Sequence, residues 1–195
     1  NMGSSIAKTQ KIVFSLKSYA YRKSDGDQPE RASLKDNLAT VLHIFESQLK
    51  YGVQARFDVA PDVPEIECYP DELSQVWTNL IHNALQAMNG TGDLDVCVER
   101  AGEAHVAVSV TDSGPGVPPD LQEKIFQPFF TTKRQGEGSG LGLDICKKII
   151  QKHHGAIELD SRPGRTVFRI TLPIRQPQGS PTEAAPQMAR AVAVA

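Results

Sequence analysis

The sequence predicts a domain that combines helices with strands, and three observations predict it. Apolar residues recur at helical spacing from Asp71 to Met88 and again from Leu141 to His153. They alternate at Val106, Val108 and Val110, while two further runs, Ala156 to Leu159 and Thr166 to Leu172, flank a Pro163-Gly164 turn. Glycine-rich turns sit where a strand is expected to end and where a helix is expected to begin. Composition sets the bounds. A chain of 195 residues with 39% apolar content can form one core, and a net charge of -2 argues against nucleic-acid binding. Cys68, Cys97 and Cys146 are odd in number and widely spaced, so neither a disulfide framework nor a zinc cluster is indicated, and all three are expected as buried thiols in a reducing cytoplasm. No stretch approaches the roughly 20 apolar residues of a membrane span, so no membrane contact is expected from this segment.

In chain order, Ile6, Ile12, Val13, Leu16 and Tyr19 share one side of an amphipathic segment, and a charged linker runs from Tyr21 to Arg31. Residues 1–5 read as a cloning remnant. A helix over Leu34 to Leu49 and a strand over Val53 to Val59 follow. The helix over Asp71 to Met88 places Leu73, Val76, Trp77, Leu80, Ala84 and Met88 on its apolar side. Asp71 and Glu72 suit the positive end of its macrodipole, and Asn89-Gly90 supplies the stop. Another face carries Gln75, Asn79, Asn83 and Gln86, and amides are uncommon inside helices because they compete for backbone hydrogen bonds. After the hairpin at the end of the core, the segment from Gln176 is rich in Pro, Ala and small polar residues and is expected as a disordered tail. Residues 1–31, 32–175 and 176–195 are therefore read as helix end plus linker, one folded domain and tail.

The chemistry concentrates in two turns and one helix face. Gly136 to Leu143, reading GEGSGLGL, lets backbone N–H groups crowd around a phosphate, with the N-terminus of the following helix adding fractional positive charge. A Walker loop is absent, and the dinucleotide fingerprint lacks its preceding strand. Asp112-Ser113-Gly114-Pro115-Gly116 closes the alternating strand. Alone it reads as an Asx turn; beside a phosphate cradle, the Asp112 carboxylate can accept from the exocyclic amine of adenine and reject the carbonyl oxygen of guanine. Asn83 offers a neutral oxygen to a magnesium ion that draws its other ligands from water and substrate phosphates.

Taken together these motifs resemble the catalytic and ATP-binding domain of two-component sensor histidine kinases, within the wider ATPase superfamily that includes gyrase, Hsp90 and MutL. Asn79 and Asn83 match its N box, Asp112 to Gly116 its G1 box, Phe126 to Phe130 its F box and Gly138 to Leu143 its G2 box, over roughly Asp36 to Ile174. The resemblance implies an α+β fold, a two-layer α/β sandwich of the Bergerat type, whose mixed and mostly antiparallel sheet is covered by helices. It implies ATP or ADP with Mg2+, lying between the N-box helix and a lid over Gln127 to Ser139. Carried over residue by residue, nucleotide contacts fall on Asn79, Asn83, Asp112, Gly114, Gly116 and Val117. They continue on Phe129, Thr131, Thr132 and Lys133 of the lid, and on Gly138, Ser139, Gly140, Leu141 and Gly142. Asn79, Asn83 and Lys133 become the catalytic set, with Asn83 on the metal.

Three departures from the family pattern sharpen the expectation. Asn79 stands where the hydrolysing relatives carry a glutamate general base, which disfavours attack by water and leaves transfer to a histidine, a nucleophile that needs no base. Gln86 and Ala87 stand where many sensor kinases place a lysine and an aromatic residue, so Lys133 and Arg134 are the natural source of the missing positive charge. No histidine here is followed at once by an acidic residue, so the phosphoacceptor is expected on dimerisation helices outside this segment, in a cytoplasmic kinase homodimer whose parent can be membrane-anchored. A response regulator receiver domain is the implied onward partner. Phe129 and Phe130 are expected to anchor the lid in an apolar slot. An anti-sigma-type serine kinase shares the fold but carries the glutamate that Asn79 replaces, and a non-catalytic nucleotide sensor is the remaining alternative.

Overall fold

The computed structural model describes residues 28–133 and 139–177. The amphipathic segment at 6–21, Arg134, Gly136 and Gly138 of the lid, and the tail from 178 lie outside the described residues. The chain runs β1 (Glu30–Ala32), α1 (Leu34–Ile44), α2 (Glu46–Leu49), β2 (Val53–Val59), β3 (Ile66–Cys68), α3 (Pro70–Ala87), β4 (Gly92–Ala101) and β5 (His105–Asp112). Two short 3-10 turns, Pro119–Leu121 and Lys124–Phe126, lead to α4 (Gly142–Lys152), β6 (Ala156–Arg162) and β7 (Arg165–Pro173). Five strands form one sheet in the order β2-β4-β5-β7-β6. Only β2 and β4 are parallel; the other pairs are antiparallel, as expected of a mixed, mostly antiparallel sheet.

The core follows from strand alternation meeting helix periodicity. Leu94, Val96 and Val98 of β4, Val106, Val108 and Val110 of β5, and Phe168, Ile170 and Leu172 of β7 face one way. They join Leu73, Val76, Trp77, Leu80, Ile81 and Ala84 of α3 and Cys146, Ile149 and Ile150 of α4 in one buried cluster. The other side of the sheet is polar, with Arg169 on Glu99 at 2.7 Å and Arg56 near Asp95 at 3.8 Å. This corrects one expectation. Cys68 and Cys146 are buried, and burial pushes their thiols up to about 11 and about 12, but Cys97 is exposed because it lies between the inward positions of β4.

Several boundaries differ for identifiable reasons. The helix expected to run unbroken to Leu49 stops at Ile44, where Phe45 turns with its N–H on the Leu42 carbonyl; beyond it only Leu49 offers apolar surface to bury. β4 is not among the expected strands, although Leu94, Val96 and Val98 alternate with Asp93, Asp95, Cys97 and Glu99 as in a half-buried strand. The linker ends in β1, which pairs antiparallel with β3, Glu30 opposite Cys68. At the other end, Gln176 lies within the expected tail, yet its amide donates to the Glu67 carbonyl at 2.8 Å and its backbone N–H to the Glu67 carboxylate at 2.9 Å. Among the described residues no helix is long and apolar enough to cross a membrane.

His153 closes this end of the core. It is fully buried, its Nδ1 donating to the Ile149 carbonyl at 2.7 Å and its Nε2 accepting the Tyr69 backbone N–H at 3.0 Å. That tautomer is neutral, and burial holds the imidazole below its ordinary value. The unfolded chain therefore takes up a proton near pH 6.5 that the folded chain resists, so stability is lost as pH falls through that value, by up to about 1.4 kcal/mol per pH unit. Melting curves between pH 7.5 and 5.5 should show this acid slope in the wild type, and a shallower one in His153→Gln.

Candidate functional site

Helix α3 carries Asn79, Asn83 and Gln86 along the side not committed to the core; Asn79 meets the start of α4, while Asn83 and Gln86 both meet Lys133. Asn79 Nδ2 donates to the Gly142 carbonyl at 3.4 Å, and a Cβ built on Gly142 would stand 3.5 Å from Asn79 Oδ1. The start of α4 is thereby held against α3. Further along the same antiparallel contact, Cys146 Sγ lies 3.9 Å from the Val76 carbonyl and Lys152 pairs with Glu72 at 2.6 Å. The free N–H groups of the α4 N-terminus consequently point toward the Asn79 and Asn83 end of α3.

The second part is the turn after β5. Asp112 is only 4% exposed, and its Oδ1 accepts the Gly114 N–H at 2.9 Å. Burial raises its carboxyl above the ordinary value, with the Gly114 hydrogen bond opposing that rise. A Cβ on Gly114 would come within 2.6 Å of that oxygen and 3.2 Å of the Ala87 Cβ, so only glycine lets the turn lie against the end of α3. Gly116 has φ +84° and sits on the Arg162 carbonyl, where a Cβ would approach to 2.5 Å. Next to it, Val117 N–H donates to Ser161 Oγ at 2.8 Å, and the Gln122 amide spans the Val117 and Ser161 carbonyls at 3.0 and 3.1 Å. The hairpin of β6 and β7 thus braces the turn. Thr166, absent from the expected site residues, stands directly across from Asp112 on β7, is equally buried, and shares a 3.2 Å hydrogen bond with Ser161. Only strand pairing brings it there, so no local signal in the sequence marks it.

The third part is the segment from Phe126 to Leu141. Phe126 packs edge-on against Phe168 at 6.3 Å, so it is the apolar anchor. The expectation for Phe129 is corrected: its side chain is 72% exposed and its φ is +65°. The cause is Gly140, at φ +68°, whose missing Cβ would fall 2.4 Å from the Phe129 carbonyl carbon. The backbones touch where a side chain would stand, and the phenyl ring turns outward; Phe130 is half-buried. Thr131 and Thr132 are exposed, Thr131 Oγ1 accepting the Lys133 N–H at 3.1 Å. Ser139 Oγ accepts from Leu141 N–H at 3.4 Å at the entry to α4. Lys133 reaches back across the site, its ammonium donating to Asn83 Oδ1 at 3.2 Å and to Gln86 Oε1.

Asn79, Asn83, Lys133 and Gly142 are therefore brought together along α3, the Asp112–Gly114 turn lies against Ala87 at the end of that helix, and Gly116 and Val117 are fixed behind the turn. Phe129 does not join them.

Residues 68–176 match the family described as histidine kinase-, DNA gyrase B- and HSP90-like ATPase, and the chain belongs to that family. Sporulation kinase E of Bacillus subtilis is 41% identical over 126 residues, covering 64% of this chain and 17% of that protein, so the chain spans about a sixth of this relative's length. The solved catalytic domain of the histidine kinase ThkA superposes with a TM-score of 0.70 at 35% identity, covering 77% of this chain and 98% of that one. ThkA in complex with the response regulator protein TrrA superposes at 0.71 with 29% identity, covering 88% of this chain and 49% of that one.

The glycine contacts make a controlled comparison. Gly116 and Gly164 both have positive φ, but a Cβ on Gly164 meets nothing within 4 Å. Gly164→Ala should cost about 1 kcal/mol for the backbone conformation alone, whereas Gly116→Ala should cost at least about 2 kcal/mol because the Arg162 carbonyl must also move. Denaturant melts of the two variants distinguish them.

Proposed function

We propose that this domain binds Mg-ATP and transfers its γ-phosphoryl group to a histidine on a dimerisation helix, from which a response regulator aspartate takes it. The observation that carries the reading is the arrangement on α3: amide oxygens, a lysine ammonium and the α4 N-terminus converge, and no carboxylate lies between Leu73 and Ala87. Family membership supports nucleotide binding, and ThkA, a related kinase, has been solved with its response regulator.

In this reading Asp112 accepts the adenine amine with the oxygen that Gly114 leaves open, while Gly142 and its neighbours offer N–H groups to the phosphates. Lys133 offsets charge developing on the transferred group. Asn79 holds the α4 start in place and, as an amide, cannot take a proton from water, so hydrolysis is slow and the imidazole of an acceptor histidine is the competent nucleophile. Asn83 Oδ1 already faces a cationic group, which fits a magnesium ligand. No group of three or more His, Cys, Asp or Glu able to hold a metal occurs among the described residues, so the remaining ligands would be phosphate oxygens and water. Magnesium would draw charge off the phosphates. A cytoplasmic setting follows from the need for ATP.

Mixing the domain with labelled ATP and a purified dimerisation hairpin should place acid-labile, base-stable phosphate on the hairpin. Acid-stable label on serine would contradict the proposal. Asn83→Ala should remove most of the magnesium-dependent gain in ATP affinity, about tenfold or more, with an unchanged melting curve. Asp112→Asn should narrow the preference for adenine over guanine nucleotides by about tenfold, since an amide can donate to a carbonyl oxygen; competition binding with GTP measures it.

A further inference from the structure

The contact of Lys133 with α3 involves two acceptors one turn apart. Its ammonium donates to Asn83 Oδ1 at 3.2 Å and to Gln86 Oε1, while its backbone N–H is tied to Thr131 Oγ1 at 3.1 Å in the preceding turn. All three acceptors are neutral. A carboxylate at either helix position would hold the ammonium more tightly but offset its charge; a carboxamide orients the ammonium without adding a negative charge of its own.

We propose that Gln86 is a positioning residue, docking Lys133 beside Asn83 so that the phosphate site receives from the loop the cation that the helix itself lacks. The inference rests on the nucleotide reading above. Position 86 is where many sensor kinases place a lysine on the helix, and here the acceptor at that position meets a lysine across a sequence separation of 47 residues. Two docks also have a use that one would not. When Asn83 turns its oxygen toward a metal and nucleotide, Gln86 still holds the ammonium within one helical turn, about 5.4 Å along the axis. The positive charge then stays close to the phosphates instead of swinging into solvent on a four-carbon stem.

The test is a double-mutant cycle read as the dissociation constants of a non-hydrolysable ATP analogue with magnesium and, separately, of AMP. Lys133→Gln should weaken the ATP analogue about tenfold while changing AMP less than about twofold. In a Gln86→Lys background, where the helix carries its own cation, the same Lys133→Gln change should cost less than about twofold for either ligand. Gln86→Ala should weaken the ATP analogue about threefold without altering AMP, which a merely structural residue would not do. Equal costs of Lys133→Gln in both backgrounds, or parallel losses for AMP and the analogue in Gln86→Ala, would overturn the role of Gln86 and leave nucleotide binding standing. Failure of the wild type to bind either ligand would overturn the nucleotide reading itself, and this inference with it.

Discussion

Trp77 sits fully buried at the centre of α3, and its indole N–H must find an acceptor or cost about 1–3 kcal/mol. Asn37 of α1 supplies that acceptor at 2.8 Å, while the same side chain donates to the Pro70 carbonyl at 3.0 Å and to Ser74 Oγ at 2.8 Å. One amide thus fixes the rotation of α3 about its axis. With Leu73, Trp77, Leu80 and Ala84 turned into the sheet, Asn79, Asn83 and Gln86 have only one direction left to face; the α4 start and Lys133 meet them there, and the Asp112 turn lies against Ala87 at the helix end. A helix rotated by even a residue's share of a turn would present apolar side chains to the site.

The site itself is assembled with few side chains and many backbone contacts. Glycines at 114, 116 and 140 stand where a Cβ would collide with a carboxylate, a carbonyl or a main chain, so the loops approach one another more closely than side chains permit. Asp112 ends an interior strand and pairs with Thr166 of β7, while the turn after it is tied to Ser161 of β6 through Val117 and Gln122. Such rigidity would suit the role proposed for Asp112, discrimination between bases by one hydrogen bond.

Local signals made much of this readable. Helical periodicity located α3 and α4 to within a residue or two, because each has a single broad apolar face. The hairpin of β6 and β7 was visible from its Pro-Gly turn. What depends on partners distant in sequence was not readable. Cys97 faces out by strand parity, and Thr166 reaches Asp112 only through the β5 and β7 register. Gln86 looks like a missing cation until Lys133 is seen against it. Phe129 is the instructive error: an aromatic pair suggests an apolar slot, but a glycine packed on its backbone decides where the ring goes.

On the proposed reading, one face of α3 gathers an adenine-selective, magnesium-assisted nucleotide site. Calorimetric titration of this chain with a non-hydrolysable ATP analogue, with and without magnesium and against GTP, addresses it directly. Saturable binding of the adenine nucleotide that tightens with magnesium, with little or none of GTP, is the expected result. Absence of adenine nucleotide binding, or equal binding of both bases without any effect of magnesium, would contradict it.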